Sequence, residues 1–152
     1  MLVLIEMKKL AITFIFLLSV SFSFAQDINC EKFKEGWFEY GDIYPNTVMY
    51  RENGYQIEYD IVTKKWVIVK LKWLSDCKYT YYHVKTNDKE LRRGKDLKVD
   101  VSIVNENETG YDYVARVYGM KKDLESSFYY LTMDVDEKIK SKIIKTLRKH
   151  SK

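Results

Sequence analysis

Most of the chain alternates between apolar and polar residues with a period of two. In residues 55–61, 67–73 and 97–103 every second position is aliphatic or aromatic. Such alternation places apolar side chains on one face of a β-strand and mostly polar ones on the other. The thirteen tyrosines suit half-buried strands of this kind. The pattern predicts eight strands at residues 34–41, 47–52, 55–62, 66–75, 78–85, 96–105, 110–119 and 126–133.

The connections between these segments are short. Asn53-Gly54 separates two strand-like runs, which is a strong signal for a tight hairpin turn. Because sequential strands usually pair, the sequence predicts an antiparallel up-and-down meander. Eight strands with one apolar face each can close into a small barrel or form a sandwich, and we expect the barrel. The predicted fold class is therefore all-β, with the barrel spanning residues 26–133.

The end of the chain changes to helical spacing. Ile139, Ile143, Ile144 and Leu147 recur as one face of a helix that we place at residues 136–149. Acidic residues precede it and basic residues end it, in the order that the helix dipole favours. Residues 134–152 form a predicted basic helix and tail.

Positive charge is concentrated in this tail. Residues 26–133 contain 17 Lys and Arg against 18 Asp and Glu, whereas residues 134–152 contain seven against three. One interpretation is an amphipathic helix that makes a weak contact with an anionic membrane or an envelope protein. The other is a helix whose aliphatic face packs on the barrel. The candidate contact residues are Lys138, Lys142, Lys145 and Lys149.

The first 25 residues have the features of a secretory signal peptide. Lys8 and Lys9 precede an uncharged apolar stretch at residues 10–20, and Ser23 and Ala25 are small. We predict cleavage between Ala25 and Gln26, and a periplasmic or secreted protein. An uncleaved anchor is the alternative, but residues 10–25 fall short of the ~20 residues that span a bilayer.

Two cysteines, Cys30 and Cys77, are present. In an oxidising compartment an isolated pair usually forms a disulfide, and the alternative is two unpaired thiols. The chain has only two histidines, and no residues in it have the spacing of known metal ligands. The sequence therefore predicts neither a metal site nor a cofactor.

No catalytic motif is present. His83 has no evident nucleophile near it in the sequence, and the shared strand face of Glu58 and Asp60 is common on solvated strands. The aromatic residues and the basic run lie in different parts of the chain, which argues against nucleic-acid binding. We therefore expect a non-enzymatic protein.

Candidate ligand-binding residues flank the Asn53-Gly54 turn. Arg51, Gln56 and Glu58 either point into the barrel or lie at solvated edge positions. Trp73 is expected in the core. These residues predict a binding module for a small apolar or amphipathic ligand or a peptide. A structural or interaction protein with a filled barrel is the alternative.

Three groups of residues resemble a family of small exported bacterial proteins. They are C-x-x-F-K-x-G-x-F from Cys30, Arg51 with Q-x-E from Gln56, and W-x-x-x-C-x-Y from Trp73. The resemblance covers residues 30–81 and implies a lipocalin-like barrel with bridged cysteines. Some members carry a DNA topoisomerase IV label, which a short exported chain without a phosphate-binding loop does not support. Tyr81 and the longer basic tail depart from the family pattern.

Overall fold

The computed structural model describes residues 28–94 and 97–151. The predicted signal peptide and its cleavage site lie outside these residues. Three short 3-10 helices occur at Cys30–Phe33, Gly41–Ile43 and Leu91–Gly94. The other elements are β1 (Gly36–Glu39), β2 (Thr47–Glu52), β3 (Tyr55–Asp60), β4 (Trp66–Ser75), β5 (Lys78–Thr86), β6 (Lys98–Asn107), β7 (Gly110–Val117), β8 (Leu124–Tyr130) and α1 (Glu137–His150).

The eight strands form a closed antiparallel barrel in sequence order. Each strand pairs with the next, and β1 closes the ring by pairing with β8, where Phe38 lies opposite Tyr130 and Glu39 opposite Tyr129. The predicted all-β, eight-stranded meander with a C-terminal helix is confirmed, and the sheet closes as a barrel instead of splitting into a sandwich. The first strand begins later than predicted because residues 30–33 form a 3-10 helix.

The predicted hairpin turn is also confirmed. Asn53 and Gly54 have φ angles of 52° and 74°, as a two-residue turn of this class requires. Gly110 serves a different purpose, because a Cβ atom there would lie 2.0 Å from the carbonyl oxygen of Phe128 on β8. A glycine is therefore needed where β7 approaches β8.

One end of the barrel is closed by the N-terminal segment. The 3-10 helix Cys30–Phe33 is tied to the β4–β5 turn by the Cys30–Cys77 disulfide, which confirms the predicted bridge. The ring of Phe33 is fully buried and lies 4.5 Å from the ring of Tyr111, centre to centre. We call this the closed end, and the opposite end, where β3 ends and β4 begins, the open mouth.

The barrel has an apolar cluster inside and another outside. The inner cluster lies inside the barrel and takes residues from most strands, including Phe38, Met49 and Leu71. The outer cluster lies between the β2–β4 surface and α1, and includes Ile57 and Ile68. The apolar face of β3 therefore points outward under the helix, and its polar face points into the barrel.

The aliphatic face of α1 packs on the barrel. Ile143 and Leu147 are fully buried in the outer cluster. Asp136 caps the helix by accepting a hydrogen bond from the amide of Lys138 at 2.7 Å. At the other end, the imidazole of His150 stacks on Trp66 with ring centres 5.4 Å apart. Of the two interpretations of the tail, packing on the barrel accounts for its apolar face.

Candidate binding cleft

Three of the four predicted ligand-binding residues lie inside the barrel. Arg51 and Gln56 face each other across the β2–β3 ladder, and both are buried. Glu58 follows Gln56 on the inner face of β3, closer to the open mouth. Trp73 does not join them, because its half-buried ring packs on Tyr79 near the closed end, with ring centres 4.7 Å apart. The interior alternative is thus correct for Arg51, Gln56 and Glu58.

Arg51 is the centre of the filled part of the barrel. Its guanidinium donates hydrogen bonds to the carbonyl oxygen of Phe33 at 2.7 Å, to Oε1 of Gln56 at 2.6 Å and to the hydroxyl of Tyr79 at 3.1 Å. Aromatic rings surround it, with the centres of Phe38 and Tyr111 at 5.0 and 5.8 Å. Cation–π contacts of this kind favour a desolvated guanidinium. Arg51 is therefore a structural residue without access to a ligand.

Gln56 connects Arg51 to Glu58. Its Oε1 accepts from Arg51, and its Nε2 donates to Oε1 of Glu58 at 2.7 Å. The guanidinium can only donate and a carboxylate can only accept, so these two neighbours fix the orientation of the amide. The result is a polarised row from the closed end towards the open mouth, with a cation at its base and a carboxylate at its top.

A cleft of ≈ 420 Å³ opens above this row at the mouth of the barrel. Its aromatic walls come from Tyr40 and Tyr44 on the β1–β2 connection, and Trp66 at the start of β4 also belongs to the lining. Val67 and Leu91 add apolar surface. We call this space the mouth cleft. Its size is in the range of small-molecule sites, which are mostly apolar with a few placed polar groups.

Glu58 is the innermost charged group of the mouth cleft. Loss of water around the carboxylate raises the pKa of Glu58, and hydrogen bonds from Tyr40 and Gln56 offset this in part, as does the more distant charge of Arg51. Burial together with the negative charge of Glu58 in turn raises the pKa of the Tyr40 phenol. Burial raises the pKa of Tyr81 and that of Tyr113, the latter to about 12, and the negative charge of Glu58 adds to both shifts.

The other carboxylates of the cleft have structural partners. Asp60 accepts hydrogen bonds from the amides of Val62 at 2.9 Å and Thr63 at 2.7 Å, which shapes the β3–β4 turn. Asp88 forms an ion pair with Lys65, with Oδ2 and Nζ 3.0 Å apart. The amide of Glu90, which donates to Asp88 at 2.9 Å, lowers the pKa of Asp88 together with Lys65, and the two backbone amides lower that of Asp60. Both groups hold the loops that form the rim.

Several residues of the mouth cleft were missed by the sequence analysis. Tyr40, Tyr44 and Asp88 lie in loops, Leu91 begins a 3-10 helix in the β5–β6 connection, and none of them belongs to a recognisable motif. One signal was available: in an up-and-down meander, the connections after the first, third and fifth strands must share one end. Chemistry-bearing residues in those three connections were therefore candidates for one site.

The remaining candidates lie elsewhere. His83 is opposite Val69 in the β4–β5 ladder and does not line the mouth cleft. Within residues 28–94 and 97–151 no three metal-binding side chains come together, and no helix there is long and apolar enough to cross a bilayer. The exposed outer face of α1 carries the four predicted contact lysines, Lys138, Lys142, Lys145 and Lys149.

Comparison with known proteins does not extend these observations. No protein-family model matches the chain, and no curated protein shows significant similarity to it. The resemblance to the family of small exported proteins therefore stays a prediction.

Proposed function

We propose that the protein is a non-enzymatic binding module that holds a small amphipathic molecule in the mouth cleft. The observation that carries the proposal is the division of the barrel interior. Arg51 and its aromatic neighbours fill the closed end, whereas a partly polar cleft with aromatic walls lies beside Glu58 at the open mouth. The position of His83 outside this lining also favours binding over catalysis.

Exposed apolar residues around the mouth support an amphipathic ligand. Ile43 and Val62 are more than 60% exposed, at 63% and 65%, and they flank cleft residues in the loops of the mouth. Leu91 lines the cleft itself and is half exposed. An apolar tail that leaves the cleft can cover such residues, at about 25 cal/mol for each Å² removed from water.

The binding of a neutral amphipathic dye tests this proposal. We expect 1-N-phenylnaphthylamine to gain fluorescence with the folded wild-type protein. Val67→Phe fills the cleft wall and should weaken dye binding tenfold or more, whereas Val104→Phe makes the same change at an exposed β6 position away from the lining. Equal binding by both variants, or no binding by the folded wild type, would contradict the proposal.

We further propose that the protein acts outside the cytoplasm. The Cys30–Cys77 bridge supports this, because disulfides persist mainly in oxidising compartments. Expression of the complete chain followed by intact-mass measurement is the test. A product that begins at Gln26 and is two hydrogens lighter than the reduced chain is expected, and one that retains residues 10–25 would refute cleavage.

The lysine face of α1 favours a second candidate, a contact with an anionic surface. Because Ile143 and Leu147 are buried on the barrel, such a contact would rely on charge and not on insertion of apolar side chains. Replacing Lys138, Lys142, Lys145 and Lys149 with Gln should abolish binding to vesicles containing 30% phosphatidylserine at low salt. Wild-type protein that does not bind these vesicles would remove this candidate.

A further inference from the structure

We infer that the mouth cleft selects an amphiphile with a primary ammonium head group, which Glu58 binds while the apolar tail leaves towards the rim. The inference rests on the proposed function that the cleft holds a ligand, and it specifies the chemistry of that ligand. It depends on the shape of the cleft, on the charges that face it and on the partners of each charge.

Glu58 has no cation of its own among the described residues. Of the three carboxylates in the cleft, Asp88 is paired with Lys65 and Asp60 accepts two backbone amides. Glu58 takes part in no ion pair within the described residues, and the amide of Gln56 separates it from Arg51. Its hydrogen-bond donors, Gln56 and Tyr40, are both neutral.

A buried carboxylate without a countercharge is costly, and a cationic ligand removes that cost. Hydrogen bonds between charged groups are about twice as strong as neutral ones, and they gain strength away from water. A primary ammonium has three donors, so it can bind the carboxylate and still use a neighbouring hydroxyl such as that of Tyr40. A neutral head group offers no compensating charge, and a carboxylate head group would be repelled.

The walls and the net charge of the cleft favour the same ligand. The part of the lining that the structure describes has three carboxylates and one amine, Lys65, so it carries a net negative charge when all four are ionised. Tyr40 and Tyr44 present aromatic surface, and ring faces attract an ammonium group. Among the described residues, Lys65 is the only cation of the lining, and its ion pair with Asp88 moderates its repulsion of the ligand.

The orientation follows from the positions of polar and apolar residues. Glu58 lies inside the barrel on the inner face of β3, whereas Leu91 lines the rim and is half exposed. The ammonium therefore points down the barrel and the tail outward, where it meets Leu91 and the adjacent loops. A linear alkylamine has this arrangement of charge and apolar surface.

The test compares three molecules with the same tail: decylamine, decanol and decanoate. Titration calorimetry at pH 7, below the aggregation concentration of each compound, should give a dissociation constant for decylamine at least tenfold lower than for decanol. Decanoate should bind more weakly than decanol. In Glu58→Gln the preference for decylamine over decanol should fall from tenfold or more to about one.

Glu108→Gln is the matched control, because it makes the same change at an exposed residue of the β6–β7 turn, at the closed end. It should keep the wild-type preference. Near-UV circular dichroism establishes that each variant is folded.

The outcomes separate this inference from the proposed function. If decanol binds as tightly as decylamine, or if Glu58→Gln keeps the preference, the ammonium inference is wrong while the binding function stands. If the neutral dye binds but no decyl compound does, the ammonium inference is also wrong. If neither dye nor decyl compounds bind the folded wild type, both proposals are overturned.

Discussion

Arg51 should be the most stabilising charged residue of the protein, and Arg51→Met tests this. The substitution keeps a long unbranched side chain but removes the donors to Phe33, Gln56 and Tyr79. Those acceptors lie in the buried interior, and leaving each without a partner costs about 1–3 kcal/mol. Glu58 also loses the charge that faces it through Gln56. Because methionine restores part of the packing, we expect a total loss of about 3–5 kcal/mol.

Arg148→Met is the matched control. Arg148 donates two short hydrogen bonds to Glu52, at 2.9 and 2.6 Å, but its side chain is 63% exposed. Exposed ion pairs contribute about 0–1 kcal/mol, so this variant should remain close to wild type. The two arginines therefore differ in burial and in partners, because Arg51 donates to three uncharged acceptors and Arg148 to one carboxylate.

Urea unfolding followed by circular dichroism measures both effects. With an m-value of about 2 kcal/mol/M, the midpoint of Arg51→Met should fall by about 2 M, and that of Arg148→Met by about 0.5 M or less. If Arg51→Met does not fold, Arg51→Lys is measured instead. It keeps the charge but not all three hydrogen bonds, so its urea midpoint should lie above zero and below those of wild type and Arg148→Met. Equal losses for Arg51→Met and Arg148→Met would show that the buried contacts of Arg51 contribute no more than an exposed ion pair.

Three further predictions concern other parts of the barrel. Reduction of the disulfide, or Cys77→Ser, should lower the free energy of unfolding by about 4 kcal/mol, because the bridge joins residues 47 positions apart; an unchanged urea midpoint in reductant would contradict this. Burial raises the folded-state pKa of Glu58 above 4.5, so its contribution to stability falls as the pH rises through that pKa. Glu58→Gln should therefore gain stability relative to wild type between pH 4 and pH 7, and a flat difference would refute the pKa direction. Leu147→Ala should cost about 2–5 kcal/mol in the same unfolding assay, because Leu147 is buried where α1 packs on the barrel, whereas Lys145→Ala on the exposed face should cost under about 0.5 kcal/mol; similar losses would show that α1 is not docked through its aliphatic face.

The strand pattern of this protein could be predicted well from sequence because its alternation is regular. The start and end of β2 and β4 match the prediction to the residue. Alternation shows which residues of a strand share a face, but it does not show which of the two faces points into the barrel. On β3 the apolar residues Ile57 and Tyr59 point outward, because α1 covers them. The aliphatic stripe of the helix was the available clue, since it requires an apolar surface to pack on.

The site was predictable only in part, for a related reason. Arg51, Gln56 and Glu58 are adjacent across a two-residue hairpin, so their proximity follows from local register. Tyr44 and Asp88 come together only when the barrel closes, because they belong to connections far apart in the chain. Whether Glu58 meets water or the interior depends on that closure and on α1, and neither is encoded within β3.

The way in which the ring of strands closes has a consequence for amide hydrogen exchange. β4 and β5 align over eight residue pairs, whereas β1 and β8 align over two. Backbone amides exchange with solvent when local opening breaks their hydrogen bonds, and openings that break the fewest contacts are the most frequent. The β1–β8 junction should therefore act as the seam of the barrel: its amides should exchange first, and those of β4 and β5 only when the whole molecule unfolds.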